Sequence, residues 1–269
     1  MYMLLLVVLG AIVLFTTFMV RPKKRLHRKL VSLGIILVIA GGSGIYENLQ
    51  NNTGQTGDNP KQVEKTKSYD TSNLANLDYN GTQEIEVNNN TPTFTKSELN
   101  VSNGPWQEFA DLDNLNRAIQ ADALLSKSLM PTEKREALYV NPTGWHNKRI
   151  KGGWLYNRSH LIGFQLTGQN NNPKNLITGT RSLNSPEMLK HENDIAYYLK
   201  QNPNNFIRYR VKPIYRNDEL VARGVQMMAE SLTSDGQVDK QIYFNVYIFN
   251  IEQGVKINYS DGTSVVNNN

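Results

Sequence analysis

Hydrophobic positions divide this chain into stretches of different period. Met1 to Val20 is apolar throughout and uncharged, about long enough to cross a bilayer as one helix. A basic cluster from Arg21 to Lys29 follows, and Leu30 to Ile45 is again apolar, with glycines. A secretory signal carries its basic residues before the apolar core, and here they come after it. With the cluster held inside by the positive-inside rule, residues 1–46 are expected to form a transmembrane helical hairpin, spans 1–20 and 30–46, with both ends outside. A single span with an interfacial second segment is the alternative. It puts the two ends on opposite sides and the following domain in the cytoplasm.

Residues 47–95 are rich in Asn, Thr, Gln, Gly and Ser and hold only isolated apolar residues. Such a stretch buries too little apolar surface to offset chain entropy, so a flexible linker is expected. Ile85 to Val87 and Thr93-Phe94 are candidates for a first strand of the domain that follows at 96–269. Between Trp106 and Met130, apolar residues recur at helical spacing (Phe109, Leu112, Leu115, Ala118, Ile119, Ala123, Leu124), which predicts an amphipathic helix from Asn114 to Lys127. Lys148 to Tyr156 and Leu161 to Leu166 read as two short strands around a corner at Asn157–His160. Ser185 as N-cap with Pro186 in the first turn predicts a helix to Gln201, stopped by Asn202-Pro203. Three strand-like runs close the chain at Phe206–Tyr215, Leu220–Ala229 and Gln241–Asn250, the last two joined by a turn at Ser234–Gly236. The pattern is that of an α+β domain with a central antiparallel sheet and flanking helices.

The chain has no cysteine, which excludes disulfides and thiolate metal sites. Charge changes the picture more. The net +5 is unevenly spread: residues 1–46 carry six cations and no anion, and residues 145–216 carry 12 Lys and Arg against 3 Asp and Glu. The remaining stretches are acidic. In the strand at Phe206–Tyr215, Arg208, Arg210 and Lys212 alternate with Tyr209 and Val211, so one face is expected to be cationic.

That basic block surrounds the stretch where the chemistry concentrates. Asn157-Arg158-Ser159-His160 ends an apolar, aromatic run, a loop crowded with Asn, Gly, Pro and Thr follows, and Asn184 opens the helix that carries Glu192. Phosphodiester cleavage needs a nucleophilic water, charge neutralisation on the phosphate and help for the leaving oxygen. Histidine takes a proton near pH 7. A hard divalent cation neutralises the phosphate and accepts few protein oxygens, so one Asn amide can be its only direct ligand. His160, Asn184 and Glu192 supply this set, and Arg158 can pair with phosphate oxygens. Asn184 and Glu192 stand eight residues apart, about two helical turns, which puts both on one side of a helix. Folded back across two strands carrying His160, that helix makes a strand–strand–helix finger. Taken alone, His160 would be a hydrogen-bonding strand-end residue, Asn184 a helix cap and Glu192 a solvated helix position. His146 and His191 have no motif support and read as structural or solvent-facing, Asn170–Asn172 as loop material, and Trp145, Trp154 and Tyr156 as core, with base-stacking platforms as the alternative.

NRSHLIG, NPKNLITGTRSLN and the HEN that follows resemble the bacterial DNA/RNA non-specific endonucleases with a ββα-metal (His-Me finger) site, in particular their membrane-anchored DNA-entry type. The resemblance covers roughly residues 95–269. It implies that His160 is the general base, Asn184 the ligand of Mg2+ (with Mn2+ able to substitute), and Glu192 the residue positioning metal-bound water. Asn175 matches a second family asparagine that supports the site. Where many members have Asp-Arg-Gly-His, this chain has Asn157 and Ser159 in place of the Asp and Gly. Arg181 and Lys174 are read as contacts to nucleic acid. The resemblance further implies cleavage of DNA and RNA to 5′-phosphate products. The hairpin topology of residues 1–46 puts the domain on the extracellular face of the cell membrane, where DNA import with an uptake complex, or scavenging and clearance of extracellular DNA, is the expected service. A surface DNA receptor that binds without cutting is the reading from another class.

Overall fold

The computed structural model describes residues 68–267. The expected spans 1–20 and 30–46 lie outside the described residues, and among the described residues no helix is long and apolar enough to cross a membrane. The linker expected at 47–95 is folded in its described part. Thr71–Asn76 forms a 3-10 turn that buries Leu74, and β1 (Glu84–Glu86) pairs antiparallel with a strand near the C-terminus. Leu74 and Val87 pack with Tyr247 and Phe249. The polar composition hid these few anchoring apolar residues, and the ordered domain therefore begins before residue 96.

The centre of the molecule is a six-stranded sheet. Its further members are β2 (Trp106–Phe109), β3 (Ala121–Ser126), β8 (Phe206–Ile214), β9 (Gly224–Leu232) and β10 (Val238–Phe249). The order is β1-β10-β9-β8-β3-β2, with every pair antiparallel. The helix expected between Trp106 and Met130 is thus absent. All six residues of β3 are buried: it is an interior strand, paired with β8 on one side and with the edge strand β2 on the other, and covered on both faces. Such a strand loses its two-residue alternation, and its apolar residues imitate helical spacing. The linking turn is built by Asp113, whose Oδ1 accepts from the backbone N–H of Leu115 and Arg117, and by Asn116 at φ 60°. The three C-terminal strands are where the pattern put them, with boundaries shifted by a few residues, and the turn at Ser234–Gly236 is present, with Gly236 at φ 79°.

One face of the sheet is apolar: Ala121, Ala123, Leu125, Ile207, Tyr209, Val211, Val225 and Met227 meet Ile195, Ala196, Tyr198 and Leu199 of the long helix. On the other face Asp122 lies between Arg208 and Arg210, and Glu98 pairs with Arg210 at 2.6 Å. Arg208 is 2% exposed. The cationic face expected for β8 is therefore neutralised by two carboxylates from other elements, and these arginines are structural.

Four shorter strands lie outside this sheet in the middle of the chain: β4 (Arg149–Ile150) with β5 (Gly153–Trp154), and β6 (Tyr156–His160) with β7 (Leu176–Thr180). Between β6 and β7 comes a single turn, α1 (Phe164–Thr167), and after β7 comes the long helix α2 (Leu189–Gln201). β11 (Val255–Ile257) and β12 (Ser264–Val266) form the C-terminal hairpin. Residues 157–160 are thus a strand, and 164–167 a helix, where a corner and a strand were expected. The buried Asn250 ties the β6–β7 pair to the main sheet. Its Oδ1 accepts from the Thr180 N–H at 2.8 Å, and its Nδ2 donates to the carbonyls of Thr178 at 3.0 Å and Ala222 at 2.9 Å.

Candidate active site

β6, β7 and α2 make the strand–strand–helix unit, and a cleft of about 1020 Å³ opens along it. His160, Asn157, Arg158, Asn184 and Glu192 all line this cleft. Lys174 and Arg181 do not. Lys174 pairs with Asp111 at 2.6 Å, and Arg181 lies with Nη1 against the Gly152–Gly153 turn.

His160 is 6% exposed, and its Nε2 lies 2.8 Å from the carbonyl oxygen of Asn170. A carbonyl only accepts, so Nε2 carries the proton and Nδ1 keeps its lone pair. Burial, opposed by that bond and reinforced by the charge of Arg135, lowers the imidazole pKa to about 4. The ring is therefore neutral at physiological pH with one basic nitrogen. Asn170, read from sequence as loop material, fixes this tautomer through its main chain. A side-chain reading has no access to that role. Asn170 Nδ2 donates to Glu136 O, and Asn171 Oδ1 accepts from the Tyr139 N–H, so the loop also holds the segment around Arg135.

Asn175, fully buried, brackets the residue after next from His160. The Ile162 N–H donates to its Oδ1 at 2.9 Å, and its Nδ2 returns a bond to Ile162 O at 3.0 Å. Its backbone carbonyl accepts from Leu161 N–H, which fixes the end of β6. This is a supporting position.

Glu192 stands in the first turn of α2 and is 8% exposed. Burial raises its pKa to about 7, against hydrogen bonds from the Gly163 backbone and the Gln165 side chain and the charge of Arg135. The carboxylate crowds Gly163 so closely that a Cβ there would fall 2.4 Å from Oε2. Asn184 precedes α2 in an irregular helical turn, and Ser185 breaks the run with extended backbone at φ −153° and ψ 118°. The two residues are therefore not two turns apart on one helix, as the spacing suggested. The kink ahead of Pro186 brings them to the same cleft instead. Ser185 does hold the extended geometry of an N-cap before Pro186.

A hard cation finds suitable donors here. Asn184 is half-buried in the cleft with its side-chain amide unengaged by the described residues, and Glu192 adds a carboxylate. The two would hold it with amide and carboxylate oxygen. Arg158 is fixed beside them, with Nη2 2.6 Å from Asn141 Oδ1 and the guanidinium 4.6 Å from the Trp145 ring centre. The cleft also holds residues outside the predicted site set. Arg135 comes from an irregular segment with no motif, and Trp154, read as core, is 50% exposed. His146 also lines the cleft, held through Nδ1 to the Asp261 carbonyl at 2.7 Å. His191 is structural, paired with Glu84 at 2.7 Å and packed on Phe244.

With this geometry in place, comparison with known proteins is decisive on kinship. Residues 99–233 match the family model described as DNA/RNA non-specific endonuclease. The chain belongs to the DNA/RNA non-specific endonuclease family. The fold of this endonuclease domain is similar to the crystal structure of NucA from Streptococcus agalactiae with magnesium ion bound, at TM-score 0.59 and 26% identity, covering 68% of this chain and 87% of that one. It is also similar to Sda1 nuclease with bound zinc ion, at TM-score 0.52 and 26% identity, covering 60% and 80%. A deoxyribonuclease of Streptococcus dysgalactiae subsp. equisimilis is 33% identical over 112 residues, 40% of this chain. The match spans about a third of that curated relative's length (32%).

Proposed function

We infer that this protein is a metal-dependent, non-specific endonuclease that hydrolyses DNA and RNA phosphodiesters. The observation that carries the reading is the neutral His160, with bare Nδ1, sharing one cleft with the unengaged amide of Asn184 and the buried carboxylate of Glu192. His160 Nδ1 takes the proton of the attacking water. Arg158, held between Asn141 and Trp145, offers its guanidinium to a non-bridging phosphate oxygen. Asn184 and Glu192 would hold a divalent cation, which when bound supplies charge neutralisation for the phosphate and the leaving oxygen. Magnesium, with manganese as substitute, suits oxygen donors of this kind, and the family resemblance extends to products with 5′-phosphates. The basic block at residues 145–216, with 12 Lys and Arg against 3 Asp and Glu, supports capture of the nucleic-acid backbone by charge, which favours cutting without sequence preference. Anchoring by residues 1–46 on the outer face of the membrane, and service to a DNA-uptake complex, complete the reading.

Nicking of supercoiled plasmid by the full-length protein, with magnesium and with EDTA, tests it. Relaxed and linear DNA forming only with the metal supports the enzyme. Bound but intact DNA in both would instead identify a non-catalytic receptor. Protease added to intact cells should cut the segment after residue 46 and release the domain, whereas full protection would put it inside the cell.

A further inference from the structure

Trp154 exposes half of its surface on the wall of the catalytic cleft, although burying an indole is among the larger stabilising contributions a side chain can make. It sits on β5 opposite Arg149 of β4, whose guanidinium lies 4.9 Å from the ring centre. The hairpin is rigidly mounted. Leu155, next in the chain, is fully buried, its N–H donates to Lys148 O at 3.0 Å, and its carbonyl accepts from the Arg181 N–H at 2.8 Å. The turn runs through Gly152 at φ 106° and Gly153 at φ 137°, and Arg181 Nη1 lies 3.0 Å from where a Gly153 Cβ would stand, so the turn rests directly on that guanidinium. Arg149 and Lys151 are exposed on the same hairpin. An exposed ring backed by a cation, held on a fixed element and flanked by further cations, is the arrangement that stacks a base while its neighbouring phosphates are neutralised.

We propose that Trp154, backed by Arg149, is a stacking site for an unpaired base of the strand being cut, and that it gives the enzyme a preference for single-stranded over duplex nucleic acid. A paired base in a duplex has both faces covered by its neighbours and must be unstacked before it meets the ring. A base in a single strand has no such cost. The site recognises the π-face that every base has, so it adds strand selectivity without sequence preference. The inference rests on the nuclease reading above. It assigns Arg181 to the support of this hairpin rather than to the cleft.

The test uses the full-length protein and its Trp154→Ala and Trp154→Phe variants on a labelled single strand, on the same strand with one base-less residue moved stepwise past the cleavage point, and on the duplex. Wild type should lose about tenfold in kcat/KM, mostly through KM, when the base-less residue reaches the stacked position. Trp154→Ala should be about tenfold slower on the intact strand, indifferent to the missing base, and changed less on the duplex. Trp154→Phe should keep most of the activity. A Trp154→Ala loss that is equal on intact and base-less strands would make the residue structural and overturn the proposal. Binding of the same strands in EDTA, read by fluorescence anisotropy, should repeat the pattern without turnover. If nothing is cut and the binding pattern persists, the nuclease reading fails while the stacking site stands. If cutting occurs with no base-less effect in either assay, the stacking site fails alone.

Discussion

The Nε2 of His160 and the carbonyl oxygen of Asn170 are 2.8 Å apart, and this single bond decides which imidazole nitrogen carries the proton and which keeps its lone pair. With Nε2 protonated, Nδ1 is the nitrogen that the proposed mechanism uses as the base. Replacing His160 with Gln keeps an N–H donor for the Asn170 carbonyl and removes the base. Turnover should fall by on the order of 10²–10⁴, the usual contribution of general base catalysis. Gel-shift affinity for DNA in EDTA should stay within about threefold, since the phosphate contacts that dominate such binding are untouched. Loss of binding along with turnover would show that the histidine holds the cleft together.

The same burial makes a stability prediction. His160 has a folded-state pKa of about 4, below its ordinary 6.5. Between those values the unfolded chain binds more protons than the folded one, so stability is full above about 6.5 and falls as pH drops towards 4. Glu192, raised to about 7, acts in the opposite sense between about 4.5 and 7. Comparing wild type with His160→Gln removes the Glu192 contribution. Urea unfolding should show wild type losing about 3 kcal/mol relative to the variant between pH 7 and pH 4. A constant difference across that range would mean that the folded-state pKa is not depressed.

Asn175 offers a different kind of test, because it touches no part of the cleft. Its amide satisfies both the N–H and the carbonyl of Ile162 in a fully buried place. Asn175→Ala leaves both groups unpaired and should cost about 2–4 kcal/mol, at about 1–3 kcal/mol for each buried orphan. Activity should fall with it even below the melting temperature, since the end of β6 that carries His160 is no longer held. Melting curves and kcat measured side by side check the pair. Reduced stability with unchanged kcat would confine Asn175 to the fold.

The finger was legible in sequence because its chemistry is concentrated in side chains at close spacing: Asn157 to His160, Asn184 and Glu192. What escaped did so for physical reasons. β3 is an interior strand buried on both faces, so Ala121 to Ser126 carry no alternation to read. Trp154 resembles any core tryptophan until its hairpin is placed at the cleft. Asn170 acts through a carbonyl that every residue has. The eight-residue separation of Asn184 and Glu192 pointed to the right neighbours by the wrong route, since Ser185 interrupts the helix assumed between them.

Gly163 is the narrow point beside Glu192. A Cβ there would stand 2.4 Å from Oε2 and 2.6 Å from the carboxyl carbon, so Gly163→Ala must push the carboxylate aside. The backbone at Gly163 is extended, at φ −59° and ψ 145°, which alanine adopts without strain. The fold should therefore lose no more than about 1 kcal/mol while the nicking rate falls at least about tenfold. A magnesium titration should show weaker activation. Normal activity in a stable Gly163→Ala protein would remove Glu192 from the site.

Arg135 is the cation that no motif announced. It is exposed on the cleft wall, 5.9 Å over the Phe164 ring, and its charge lowers the pKa of both His160 and Glu192. A guanidinium whose charge reaches both groups is placed, in the proposed mechanism, to meet the substrate phosphate. Arg135→Ala should raise KM for DNA roughly tenfold and reduce the slope of log affinity against log salt by about one, the signature of one lost phosphate contact. Arg135→Lys should restore the salt slope but only part of the affinity, because an ammonium lacks the two-pronged donor geometry. Binding measured in EDTA across a salt series separates these effects from turnover. An unchanged slope in Arg135→Ala would show that its charge faces solvent and acts on the cleft only at a distance.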